Sequence, residues 1–221
     1  MRKLQRDIEF MNVLVIAPHP DDESIGCGGS LCLHVQGGDR VAVVFLTSGE
    51  LGLKKVARQE AWATREAEAR KAAKILGVTR LTFLRLPDWC MGDDIPAAAA
   101  ALVPVLRTHE SELIYLPHPA DGHPDHQATL PVLRAALKAA AQRPRTLRAY
   151  EVWTPLSRFD EVQDITPVMP RKLRALRAHR SQLGEFDYVQ AVRGLNQYRG
   201  ALAAKSRFAE VFQTLDPGPA R

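Results

Sequence analysis

Residues 12–29 read NVLVIAPHPDDESIGCGG, and this stretch decides how the rest of the chain is understood. Its opening, Asn12–Ala17, is an unbroken β-branched and aliphatic run, the pattern of a strand buried on both faces. Pro18-His-Pro-Asp-Asp-Glu23 follows at once and sets an imidazole and three carboxylates within five residues of one another. Gly26-Cys-Gly-Gly29 then leads into a helix. It lacks the G-x-G-x-x-G spacing of a dinucleotide site, and close packing of helix on sheet explains it better.

The same rhythm repeats outward. Arg40–Thr47, Leu81–Leu86, Glu112–Pro117 and Leu147–Trp153 read as further strands. Gly28–Gln36, Val56–Leu76, Pro96–His109 and His126–Ala141 read as the helices between them. Such alternation specifies an α/β fold, a mostly parallel sheet covered by helices on both faces. After Trp153 a turn-rich stretch carries Pro155, Pro167 and Pro170, and helical patterns run over 171–183 and 187–215. These read as a helical lobe on the same core, followed by a frayed tail at 216–221, so that 1–221 forms a single domain.

The chain has 221 residues, 46% of them hydrophobic and 25% charged, which excludes disordered and fibrous classes. No apolar run approaches the ~20 residues of a membrane helix, and the charged start, residues 1–9, has no signal-peptide core. Three cysteines, Cys27, Cys32 and Cys90, without a Cys-x-x-Cys pair, exclude a disulfide framework and a cysteine-rich zinc site. The expectation is a reduced, cytoplasmic protein without a membrane partner. A net charge of +5, spread along the chain with only 6% aromatics, does not point to nucleic acid.

Open α/β sheets bind ligands at the carboxyl ends of their strands. Polar clusters follow each of the first four strands: the His19 run, Ser48-Gly-Glu50, Pro87-Asp88, and His118-Pro-Ala-Asp-Gly-His-Pro-Asp-His126. Nitrogen and oxygen donors without thiolates suit Zn²⁺ or another divalent first-row metal. A catalytic site of that kind needs three protein ligands, an open position and a nearby carboxylate base. Helix capping by Asp21, Asp22 or Ser24 would account for one carboxylate, not for both His-Pro clusters. Spacing alone leaves open which aspartate ligates.

Pro18–Glu23, Thr47-Ser-Gly-Glu50 and His123-Pro-Asp-His126, with Arg65–Gly77, Leu86-Pro-Asp88 and His179-Arg-Ser-Gln182, resemble the LmbE-like (PIG-L) zinc-dependent N-deacetylases over most of residues 12–215. The resemblance implies a Rossmann-like fold and removal of the N-acetyl group from a small molecule containing N-acetylglucosamine. It implies His19, Asp22 and His126 as metal ligands, Asp21 as general base and His123 as the imidazolium that stabilises the oxyanion. Arg65 and Asp88 match substrate-contacting positions, although Arg65 can equally pair with Glu68 at i+3. Glu23 and Asp125 suit supporting or capping roles. His179 lies on the core-facing stripe of its helix and needs a partner; the matching motif places it near the substrate. The basic helix that carries it suggests that Arg177 or Arg180 near the rim favours a substrate carrying a carboxylate or phosphate. A homotrimer or homohexamer is also implied.

Two other functions compete. One is an amidase of the same machinery that cleaves a larger acyl group, such as that of a thiol S-conjugate. The other is a non-catalytic sugar-binding module. Residues 1–10 precede the resemblance and read as an extension, with Met11 as an alternative first residue.

Overall fold

Strand β1 (Asn12–Ala17) lies in parallel between β2 (Arg40–Phe45) and β4 (Leu113–Pro117), and it organises the molecule. The computed structural model describes residues 10–184 and 186–218. The proposed extension, Phe10 apart, and the end of the proposed tail lie outside the described residues. Strands β3 (Arg80–Phe83) and β5 (Thr146–Tyr150) extend the parallel array on either side. The full order is β3-β2-β1-β4-β5-β7-β6.

Successive side chains of a strand face opposite ways, and β1 buries both sets. Val13, Val15 and Ala17 enter one core with α2 (Gly28–Gly37), α3 (Arg58–Leu76) and α6 (Met169–Leu176), through Leu31, Ala69, Leu76 and Leu176. Leu14 and Ile16 enter the other with α4 (Ile95–His109) and α5 (Pro124–Ala140), through Leu102, Leu106 and Leu133. Each large aliphatic side chain fully buried this way contributes about 1.5–3 kcal/mol. The short α1 (Asp22–Gly26) sits between β1 and α2, with Gly26 against the Tyr150 ring. A Cβ there would lie 2.1 Å from Tyr150 Cδ2, so close packing is the reason for this glycine.

The expected five strands and four helices form within a few residues of their expected bounds. The carboxyl-terminal reading is corrected. The 171–183 pattern is helical only to Leu176, and the 187–215 pattern resolves into α7 (Tyr188–Arg199), a π-helical turn Gly200–Ala204 and a strand, β7 (Ala209–Leu215). Lys205, at φ 50°, turns the chain out of the helix. Beyond it Val211, Phe212 and Thr214 favour a strand, and β7 inserts antiparallel between β5 and β6 (Glu161–Asp164). The lobe is therefore not purely helical; it completes the sheet.

Strand β7 also delivers Glu210 to the start of α2. Its carboxylate accepts from Gly29 N (2.8 Å), Ser30 N (2.8 Å) and Ser30 Oγ (2.6 Å), and pairs with the fully buried Lys172 at 2.7 Å. Exposed amide hydrogens at a helix start demand such an acceptor. Glu210→Ala should destabilise the protein by about 3–5 kcal/mol, because Lys172 is left buried without its counter-charge; the midpoint of urea unfolding measures the loss.

Candidate metal centre and active site

Strand order reverses between β1 and β4, so the loops leaving their carboxyl ends diverge and open a crevice. The β1 loop carries His19 and Asp21, and α1 opens with Asp22; the β4 loop carries Asp121 and His123, and the first turn of α5 carries Asp125 and His126. Thr47 Oγ1 donates to Pro18 O at 2.9 Å and fastens the β2 loop to the β1 loop. Gly49 permits this turn: its φ is 61°, and a Cβ would lie 1.9 Å from Arg65 Nη1.

Three donor atoms meet in the crevice. His19 Nδ1 is 3.2 Å from Asp22 Oδ2, His126 Nε2 is 3.3 Å from the same oxygen, and the two nitrogens are 3.3 Å apart. Ligands at ~2.0–2.1 Å in tetrahedral array around zinc stand about 3.3–3.4 Å from one another, so this triangle has the dimensions of a metal face. A wider set, His19, His123 and His126, has donor atoms within 4.8 Å, and His19 also groups with Asp88 and Asp125.

The charge balance agrees with a cation. Burial opposes protonation of His19, yet Asp125, Asp22 and Asp88 outweigh it and hold the imidazole well above its ordinary range. Burial likewise opposes the charge on His126, but Asp22 and Asp121 raise it to about 9. Asp121 Oδ1 accepts from His126 Nδ1 at 2.9 Å and leaves Nε2 for the triangle. Its other oxygen accepts from Trp153 N and Thr154 N, both at 3.0 Å. Asp125 contacts His19 Nε2 at 3.2 Å and accepts from Trp89 N at 2.8 Å and Met91 N at 3.2 Å. The sequence reading gave Asp121 no role; its position five residues before His126 was the available signal.

Asp21 adopts φ 133°, a conformation L-residues rarely take, costing roughly 1–3 kcal/mol. Surrounding contacts impose it. Glu23 Oε2 accepts from Asp21 N at 3.2 Å, and Arg65 Nη2 reaches Asp21 Oδ2 at 3.3 Å while donating to Pro20 O at 2.8 Å. Burial pushes the Asp21 carboxyl up to about 6 against the pull of Arg65. Arg65 thus faces the crevice rather than Glu68, whose carboxylate accepts from Ser181 N (2.9 Å) and Oγ (2.7 Å). His179 is buried with Nε2 3.7 Å from Glu23 Oε1 and lacks a hydrogen-bond partner there.

His123 caps α5, its Nδ1 accepting from Asp125 N at 3.1 Å. Burial, then the charges of His19 and His126, push it down to about 4. These surroundings favour the neutral ring with Nε2–H as donor over the imidazolium that the resemblance implies, because protonating Nδ1 would set two donors against each other. Asp88 Oδ2 accepts from Leu51 N at 2.9 Å, and its buried Oδ1 lies 3.1 Å from His19 Nε2 without a hydrogen bond. The cleft over these groups measures about 220 Å³ and is lined by His19, Asp21, Asp22, Arg65, Asp88 and His123 together with Trp89, Trp153 and Tyr188. Arg177 and Arg180 are exposed and do not line it, which removes the sequence basis for anion selection.

Residues 14–137 match the family model described as PIG-L, GlcNAc-PI de-N-acetylase, and the chain belongs to that family. It is 31% identical over 197 residues to the diacetylchitobiose deacetylase of Thermococcus kodakarensis, covering 80% of this chain and 72% of that one. It is 33% identical over 186 residues to a probable N-acetyl-α-D-glucosaminyl L-malate deacetylase 2 of Bacillus subtilis, covering 77% and 83%. The crystal structure of the conserved protein TT1542 from Thermus thermophilus superposes with a TM-score of 0.83 at 29% identity, covering 95% and 97%.

Asp121→Asn keeps the shape of the support but removes its charge. Metal affinity should fall about 10–100-fold, the usual effect of losing such a partner; competition with a chromogenic chelator measures it.

Proposed function

We propose that this protein is a metal-dependent hydrolase that removes the N-acetyl group from a small molecule containing N-acetylglucosamine. The observation that carries this reading is the His19–Asp22–His126 triangle beside an ionisable, conformationally forced Asp21. Those three residues would hold Zn²⁺ or another divalent first-row ion. Such an ion supplies Lewis acidity, polarising an amide carbonyl and making water acidic near neutral pH.

The remaining chemistry belongs to the chain. Asp21, with a pKa of about 6, is ionised at neutral pH and basic enough to take a proton from water. Once protonated it can return that proton to the departing amine, so water and amide yield acetate and a free amino group. His123 Nε2–H can donate to the carbonyl oxygen as negative charge collects there. Arg65 positions the base. Asp88, which lines the cleft, is suited to accept from a sugar hydroxyl, and His179 acts through Glu23, whose other oxygen holds Asp21 N.

The competing readings are weaker. At about 220 Å³ the cleft is smaller than the ~300–1,000 Å³ of drug-sized ligand pockets, which favours one sugar ring and a short acyl group over a long one. A sugar-binding module has no use for a strained carboxylate beside a metal face. Among the described residues no helix is long and apolar enough to cross a membrane. Cytoplasmic localisation and a homotrimer or homohexamer belong to the same reading; sedimentation of the purified chain tests the assembly, and a monomer would remove it.

Deacetylation of a panel of N-acetylglucosamine conjugates, followed by acetate release, tests the activity directly. Elemental analysis should find one divalent ion per chain, lost in His126→Ala; full occupancy in that variant would take His126 out of the ligand set. Asp21→Asn should retain the metal while kcat falls by about 10²–10⁴. In the wild type, kcat/KM should drop as pH falls through about 6, since only ionised Asp21 acts as a base. Near-normal turnover in Asp21→Asn would place the base elsewhere.

A further inference from the structure

Two tryptophans flank the site and have no role in the chemistry above. Trp89 follows β3 and Trp153 follows β5; both line the cleft, yet they remain 50% and 49% exposed. Their rings stand against His123, with centroids 4.4 Å and 4.9 Å from the imidazole. Neither position is accidental. Trp89 is held at φ 69°, in the left-handed region, while Asp125 accepts its N–H. Trp153 N–H is accepted by Asp121. The carboxylates that orient His19 and His126 therefore also fix the backbone that carries the two indoles.

We propose that Trp89 and Trp153 form a stacking subsite for a second saturated ring, a pyranose or a cyclitol, joined to the reacting aminosugar. This rests on the deacetylase reading. A cleft of about 220 Å³ encloses little more than one ring, so the attached group must lie across the rim, where the indoles present bare apolar surface. The hydroxylated edge of a saturated ring stays in water while its C–H face covers an indole, the pairing for which an amphipathic aromatic is suited. Charge alone does not choose the attached group, because the cleft is lined by Lys54 and Arg65 as well as by Asp21, Asp22 and Asp88; the choice rests on the two indole faces at the rim.

The test compares kcat/KM of the metal-loaded enzyme for N-acetylglucosamine, diacetylchitobiose, and its inositol and malate conjugates. Both ring-bearing substrates should exceed the monosaccharide and the malate conjugate at least tenfold, and their ratio to each other tells a pyranose from a cyclitol. Trp89→Ala and Trp153→Ala should each reduce the advantage of the preferred ring-bearing substrate about tenfold, through KM, and Trp→Phe should restore most of it. Tryptophan fluorescence supplies a readout independent of turnover: the deacetylated disaccharide should quench it, and glucosamine at equal concentration should not. Preference for the malate conjugate, equal effects of the tryptophan variants on all four substrates, or equal quenching by the two amines would overturn the subsite. Absence of turnover on every N-acetyl substrate would instead defeat the deacetylase reading, and the quenching would still decide whether the subsite exists.

Discussion

One carboxylate oxygen governs the arrangement of this molecule. Asp22 Oδ2 lies 2.8 Å from His19 N, 3.2 Å from His19 Nδ1 and 3.3 Å from His126 Nε2. The backbone N–H of His19 donates to this oxygen, but the oxygen and the two ring nitrogens all bear lone pairs and repel at such distances unless positive charge lies among them, as protons or as a metal ion. The fold must therefore hold them together from outside. Asp121 and Asp125 do so by gripping the far nitrogens of the two imidazoles, and each is anchored in turn by backbone N–H groups of the next loop. The strained backbone of Asp21 follows from the same demand, because His19 and Asp22 must both face inward around it.

Such a concentration of buried acids opposes folding. Asp21, Asp22, Asp88, Asp121 and Asp125 are all less than a tenth exposed, and buried carboxylates are tolerated only when paired or well bonded. The two apolar layers on either face of β1 supply the opposing stability. That division of labour, with cores on the faces and charge at one edge of the sheet, is what a doubly covered parallel sheet makes possible.

The parallel half of the fold and the position of the site were legible because Asn12–Ala17 and its counterparts carry a local signal: continuous aliphatic runs, each closed by a polar cluster. Strand β7 was not. Ala209–Leu215 lies beyond a helix whose pattern runs into it, and its strand state is settled by pairing with β5 and β6, which local periodicity does not record. The His-Pro clusters were visible, but their supports were less so. Asp121 looks like any loop aspartate until His126 is seen beside it, and Glu66, bonded to Ser48 and Arg85, has meaning only across chain segments. The environment of His123 escaped for a related reason, since the burial of its ring and the charges of His19 and His126 beside it are brought together from separate chain segments.

The clasp between Glu210 and the start of α2 bears on how the protein is made. It joins residues 181 positions apart, so the helix behind the His19 loop gains its acceptor only when nearly the whole chain is present. Closing so long a loop is slow relative to local helix formation. During synthesis the first βαβ units can collapse with Glu23 and Arg65 already at hand to hold the Asp21 turn, while the start of α2 still lacks its carboxylate. Lys172 likewise waits for Glu210 before its charge is matched.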